Sequence, residues 1–326
     1  MRTLLLALMC FSGWISAQER LFDAAEPLRI EIRTDLAALL GNRTDTADYQ
    51  FAQIFFKLGD TRMMQPAEIK PGGNFRLREA NCELPPLRLR LPETGLQPLF
   101  EGQHKIKLVL PCQGEPLVMR EYLVYRLYNA LTPHSLRVRP VRVLLADVSG
   151  SELAISKLGF LVEDPDAMAA RCGGELLKHP LMHPDSCSRE AATRVHLFEY
   201  MIGNTDWDVR SGKNLKWLVL PGDPRPVPIP YDFDWSKAVD APYTGLDAAF
   251  ERRSLRGLCR APEEYDAALA DFRQARPALM EVLNTSLLPK RDQREMTAYL
   301  GEFFAMIDTP AWVQAVLYES CAAAAR

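Results

Sequence analysis

The chain has 326 residues, 48% of them hydrophobic and 25% charged, which leaves ample material for a sizeable core. That length fits one large domain or two intimate lobes. The net charge of −3 lacks the basic excess of a general nucleic-acid binder, so no nucleic-acid partner is expected.

Residues 1–17 read as an export signal. Arg2 is the charged start, residues 4–14 form an apolar run, and Ala17 is a small residue suited to cleavage. The run is too short to span a bilayer. No later stretch is long and apolar enough, so the mature chain is expected to have no membrane span and to be periplasmic or secreted. Removing the signal removes Cys10 and leaves Cys82, Cys112, Cys172, Cys187, Cys259 and Cys321. An even number of cysteines in an exported chain suggests disulfides, and the lack of CxxC spacing argues against zinc. Cys82 precedes one predicted strand and Cys112 ends another. That pair is expected first, and Cys172–Cys187 second.

Residues 28–33 alternate apolar and polar, the period of a half-buried strand, and residues 51–58 form a second strand that ends at a Gly59-Asp60 turn. A short third strand at residues 67–70 runs into Pro71-Gly72-Gly73-Asn74. There the backbone N–H groups around Gly73 and Asn74 could approach a phosphate. Residues 87–91 place Arg88 and Arg90 on one strand face. Residues 104–110 do the same for Lys105 and Lys107, with Ile106 and Leu108 opposite. A long amphipathic helix at residues 117–131 carries Glu121 within its apolar stripe. A buried carboxylate needs a partner, and a lysine on the preceding strand is the economical choice.

Further strands are expected at 138–147, where Pro140 marks an edge or bulge, and at 159–163. His179, His183 and Asp185 fall among prolines without an HExxH pattern and read as surface residues. Residues 189–202 form a helix that Gly203 stops as a C-cap. Two acidic turns follow, GNTDWDVRSGKN (203–214) and VPIPYDFDWS (227–236), separated by the apolar strand 215–220. Four prolines make the returning strand an edge or irregular one. The remainder is helical, in segments 262–272, 276–286, 291–307 and 309–320.

Carboxylates flanking a buried hairpin are costly unless something compensates them, and bound cations are the usual reason. In order, the chain offers a Gly-rich turn, a lysine strand, a helix with glutamate, a polar loop after a helix, a hairpin, and aspartate after its second strand. That is the order of parts in a protein-kinase-like phosphotransferase. Phosphoryl transfer needs hard oxygen ligands for a metal and a carboxylate to orient the attacking hydroxyl. Asp206 would be that carboxylate, with Asp208 competing. Asn214 and Asp232 would hold Mg²⁺ or Mn²⁺, with Asp234 as rival to Asp232. Lys107, or Lys105, would contact phosphate and be held by Glu121; Arg88 or Arg90 could also hold phosphate.

Asn204-Thr205-Asp206, Asn214 and Pro230-Tyr231-Asp232 resemble the catalytic and metal motifs of the atypical kinases grouped with spore coat protein H (CotH), and are similar to those of HipA-type kinases. The Gly73-Asn74 turn and Arg120-Glu121-Tyr122-Leu123 resemble the turn and first helix of the CotH group. The resemblance covers residues 28–242. It implies ATP-dependent phosphorylation of protein hydroxyls, so ATP with Mg²⁺ or Mn²⁺ as cofactors and an exported protein as substrate.

The expected architecture is α+β: a two-lobed kinase-like fold with an antiparallel β-rich N-lobe over residues 18–150 and a mainly helical C-lobe over 151–326. Asp206 and Asn214 lie eight residues apart, longer than the usual kinase loop. A nucleotide-binding pseudokinase or a non-catalytic cell-envelope binding protein is the competing reading. A serine hydrolase is disfavoured, because there is no GxSxG elbow.

Overall fold

The computed structural model describes residues 20–178, 183–244, 253–255 and 259–319. The expected export signal and His179 lie outside the described residues. Elements run in the order β1 (Leu28–Thr34), α1 (Leu36–Gly41), β2 (Gln50–Leu58), β3 (Thr61–Pro71), β4 (Leu87–Arg90) and β5 (Lys105–Val109). Next come α2 (Glu115–Leu131), β6 (Val138–Asp147), β7 (Ile155–Val162), α3 (Pro165–Arg171), β8 (Glu175–Leu176) and α4 (Arg189–Ile202). The chain ends with β9 (Leu215–Leu220), β10 (Asp223–Pro230), α5 (Pro262–Asn284), α6 (Lys290–Ile307) and α7 (Pro310–Trp312). The fold is α+β, β-rich in its N-terminal part and helical in its C-terminal part.

Seven strands close a barrel in the order β1-β2-β3-β4-β5-β7-β6. All pairs are antiparallel except β1 with β6, which closes the ring in parallel. The alternation read from sequence becomes the barrel's inside and outside. Ile30, Ile32, Ile54, Phe56, Ile69, Leu89, Ile106, Leu108, Val143 and Leu161 are buried together. The expected division near residue 150 falls before β7, which pairs with both β5 and β6.

β3 is eleven residues long rather than a short strand at 67–70. Its first half carries Pro66, normally a strand-demoting residue. Pro66 is tolerated because β4 joins only from Glu68 onward, so the chain there pairs with β2 alone. Pro140 follows the same logic: β1 pairing begins at Val141, one residue later.

A second core lies outside the barrel. α2 lays Tyr122 and Tyr125 on Phe160 of β7, and Tyr128 on Phe198 of α4. β9 pairs with β8 and β10, so the proline-rich β10 is an edge strand, as its composition requires. The two helices expected at 262–272 and 276–286 are one helix of 23 residues with Pro277 inside it. Pro277 sits on the exposed side, while Phe272, Leu279 and Leu283 are buried on the other. Burial of that stripe carries the helix past its missing N–H. The last predicted helix is α7 followed by a π-helical stretch at Val313–Glu319.

Among the described residues, no helix is long and apolar enough to cross a membrane. Cys82 and Cys112 form a disulfide with Cα atoms 4.6 Å apart, as expected. The Cys172–Cys187 bond does not form. The Cys172 thiol instead lies 3.8 Å from the Pro133 carbonyl oxygen, and burial pushes both thiols above the usual range. Cys259 is disulfide-bonded.

Candidate functional site

The site is assembled around the outer face of β5. Because Ile106 and Leu108 point into the barrel, Lys107 must point out. Register sets it between Arg88 of β4 and Val162 of β7. Its Nζ donates to Asp232 Oδ1 at 2.6 Å, across 125 residues of sequence. Lys105, two residues away, points the same way but further out, and pairs with Asp166 at 3.2 Å on the surface. Burial pulls the Lys107 ammonium down, but the Asp232 and Glu121 charges outweigh it and its pKa is raised. Burial likewise pushes Asp232 up, and Lys107 reverses this, leaving Asp232 below the usual carboxylate range.

Asp232 lies two residues past the end of β10 in the left-handed region, with φ 65°, as does Asn214 just before β9, with φ 55°. Two non-glycine residues in that conformation at one hairpin end mark a constrained site. The Tyr231 N–H donates to the Asn214 carbonyl at 3.1 Å, so Asn214 and Asp232 share that end. The Asp232 N–H is taken by the Tyr125 hydroxyl of α2 at 2.8 Å.

Glu121 does not hold Lys107. It is fully buried, and its Oε2 accepts from Arg76 at 2.8 Å. The same Arg76 nitrogen lies 2.9 Å from Asp234 Oδ2 and 3.0 Å from the Tyr243 hydroxyl, which donates to Asp234 at 2.9 Å. The expectation failed because the glycine turn delivers a stronger partner. Gly73, with φ 98°, and Asn74 lead directly into the short turn Phe75–Leu77 that carries Arg76. A guanidinium can bridge two carboxylates, whereas one ammonium already bound to Asp232 cannot reach both. Burial drives Asp234 up to about 7, with Asp232 and Glu121 adding to the rise and Arg76 opposing it.

Glu121, Asp232 and Asp234 each offer an oxygen within 4.8 Å of the others. Glu121 Oε1 is buried with no hydrogen-bond partner among the described residues. An orphaned carboxylate oxygen beside two more carboxylates is a donor set suited to a hard divalent cation such as Mg²⁺ or Mn²⁺, so these residues fit one.

The second acidic turn begins where Gly203 caps α4 at φ 66°. A Cβ there would run into the Tyr299 hydroxyl and come within 2.9 Å of Lys237 Cβ. Gly203→Ala is therefore expected to cost about 2–4 kcal/mol, from the left-handed backbone and overpacking together, measured by chemical denaturation. Asn204 then accepts the Asp206 N–H on its Oδ1 at 2.9 Å. The Asp206 carboxylate is engaged on both oxygens, by Lys213 on Oδ1 and by Asn214 Nδ2 on Oδ2 at 3.0 Å. Asn214 Nδ2 also donates to the Asp206 carbonyl at 2.6 Å, which closes the eight-residue loop. Asp208 turns away and accepts from the Ser211 N–H and hydroxyl, both at 2.7 Å. Arg90 also turns away, pairing with Glu68 at 2.6 Å, while Arg88 lies over the backbone of Gly72. His183 and Asp185 are exposed, and Asp185 pairs with Arg189 at 2.9 Å.

Beneath this loop lies Glu199, fully buried and facing the Asn204 amide without an aligned hydrogen bond. Burial raises its pKa from 4.5 to about 8, helped by the Asp206 charge and opposed by Asn204. Above its unfolded pKa, the unfolded chain ionises Glu199 while the folded one keeps its proton. Stability therefore falls as pH rises from that value to the folded pKa. Glu199→Gln is expected to stabilise the protein by about 3 kcal/mol near pH 7, with no gain near pH 4.5. Denaturant midpoints at the two pH values test this, and a gain independent of pH contradicts it.

Sequence reasoning missed Arg76, Lys213, Tyr243, Tyr125 and Glu199. Two carried a signal: Arg76 follows the glycine turn by two residues, and Lys213 precedes Asn214 directly. The tyrosines and Glu199 carry none, because their positions relative to the loops exist only after folding.

No protein-family model matches the chain. No curated protein matches either. Among solved structures, it is similar to the Helicobacter pylori proinflammatory kinase CtkA, at 11% identity and TM-score 0.41 over 74% of this chain and 94% of that one. It is also similar to the Golgi casein kinase, at 12% identity and TM-score 0.37 over 86% of this chain and 72% of that one. A second structure of that kinase, with Mn/ADP bound, aligns at 11% identity and TM-score 0.36 over the same shares.

Proposed function

We propose that this protein is an exported kinase-like phosphotransferase that moves the γ-phosphate of ATP to a protein hydroxyl. One observation carries the reading. Lys107, Glu121, Asp232 and Asp234 come from three distant segments to one place, and the buried Glu121 oxygen there has no hydrogen-bond partner among the described residues. An orphaned buried acceptor costs about 1–3 kcal/mol, which a cation bound among three neighbouring carboxylates would offset.

When bound, a divalent cation would neutralise phosphate charge between these carboxylates. Asp232, Asp234 and Glu121 would hold it. Asn214 keeps its amide nitrogen on Asp206 and fixes that carboxylate's orientation. Lys107 and the neighbouring Arg88 face outward on adjacent strands, where they would hold phosphate oxygens. Asp206 would orient the acceptor hydroxyl and take its proton. Lys213, bonded to Asp206, would lie close to the transferred group.

The test uses purified mature protein with Mg²⁺, labelled ATP and a mixed protein substrate, alongside Asp206→Asn and Asp232→Asn. Metal-dependent transfer lost in both variants supports the reading. A thermal shift with Mg²⁺–ATP but no transfer favours a nucleotide-binding pseudokinase. The double engagement of Asp206 by Lys213 and Asn214 is the observation on that side. No shift and no transfer defeats both.

A further inference from the structure

Resting on the metal–nucleotide reading above, we propose that the Arg76 guanidinium is a built-in second cation, so that the site takes a single divalent ion per chain. Kinase sites of the two-metal kind use two divalent ions to offset phosphate charge. Here one of the places for such an ion is filled by the protein itself. The Arg76 side chain is 9% exposed and touches Glu121 Oε2, Asp234 Oδ2 and the Tyr243 hydroxyl, all within 3.0 Å. It therefore bridges two of the three carboxylates in the cluster.

Arg76 is also held too firmly to be a side chain that steps aside. The preceding Phe75 ring packs edge-on against Trp235 at 5.6 Å and tilted against Tyr243 at 5.1 Å. Asn81 donates to the Phe75 carbonyl at 2.7 Å, and the next residue, Cys82, is bonded to Cys112 beyond β5. The loop is thus tied at both ends of the segment that delivers the guanidinium.

Oxygen accounting gives the same answer. Arg76 takes Glu121 Oε2 and Asp234 Oδ2, and Lys107 takes Asp232 Oδ1. One oxygen of each carboxylate is left. Those three oxygens suffice for one six-coordinate ion completed by phosphate and water, and the two that face Arg76 are the ones a second ion would need. Arg76 and Lys107 already bring two positive charges to the three carboxylates, and the Arg76 charge sits between Glu121 and Asp234 where a second divalent ion would lie.

Free Mn²⁺ is counted by electron paramagnetic resonance during titration of the protein saturated with a non-hydrolysable ATP analogue. The wild type is expected to take up one Mn²⁺ per chain, Arg76→Lys one, and Arg76→Met two. Two ions in the wild type overturn the inference while leaving the metal–nucleotide reading intact. One ion in a folded Arg76→Met also overturns it. No nucleotide-dependent Mn²⁺ uptake by the wild type overturns both. The wild-type count stands even if a variant fails to fold.

Discussion

Asp206→Asn is expected to lower phosphate transfer by about 10²–10⁴-fold while leaving Mg²⁺–ATP binding unchanged. The asparagine keeps the shape, and its single oxygen can still accept from one of the two donors, Lys213 or Asn214, that hold separate Asp206 oxygens. It cannot accept a proton from the incoming hydroxyl. The separation of effects follows from geometry, since Asp206 is outside the group of three carboxylates that converge on one point. The measurement is a pair of titrations, transfer rate and thermal shift, each against nucleotide. If the shift is lost together with the rate, Asp206 belongs to the metal site instead. If neither changes, it is a turn residue. Asp232→Asn should behave oppositely. It removes a carboxylate from the cluster and leaves Lys107 without its 2.6 Å partner, so nucleotide binding should be lost with transfer.

Arg76→Ala is expected to destabilise the fold by about 3–5 kcal/mol, the cost of stranding buried carboxylates without their cation. Glu121 is fully buried and Asp234 is 5% exposed, so water cannot take the place of the guanidinium. Asp234, which burial already pushes up and Arg76 holds down, then keeps its proton more readily. Groups whose folded pKa is raised keep their stability at low pH and lose it as pH rises through the folded value. The penalty should therefore be smaller near pH 5 than near pH 8. Denaturation of both proteins at the two pH values checks the sign. A penalty that grows towards acid would mean that Arg76 stabilises by packing rather than by charge. Mg²⁺ should return part of the lost stability to the variant, since a cation that binds only the folded state stabilises it.

The exact agreement of α4 and β9 with their sequence readings, residues 189–202 and 215–220, has a common cause. In both, a local apolar period agrees with a local stop signal, glycine or a polar turn. Agreement between levels also placed Gly203 as a cap and made the proline-rich β10 an edge. It failed where a distant partner overrode a local signal. The third strand was expected to start only at 67 and the helix to be interrupted between 272 and 276, yet Pro66 lies within β3 where β4 does not yet pair, and Pro277 lies within one helix that burial of Phe272, Leu279 and Leu283 holds together.

The site divides along the same line. Composition and motif order singled out Lys107, Glu121, Asp206, Asn214 and Asp232, because a carboxylate in an apolar stripe or a hairpin of acidic turns is costly unless compensated. Register alone leaves Lys107 beside Asp232 and Lys105 beside Asp166, a difference that sequence could not show. The partner of Glu121 could not be read from sequence at all. Which cation reaches a buried carboxylate depends on where a loop forty-five residues away is pinned, here by an aromatic cluster and a disulfide. The amino-acid sequence by itself determined which residues would be expensive to bury. Only the tertiary structure decided which of them compensate one another, because pairing over a few ångströms is set by the packing of segments that sequence distance keeps apart.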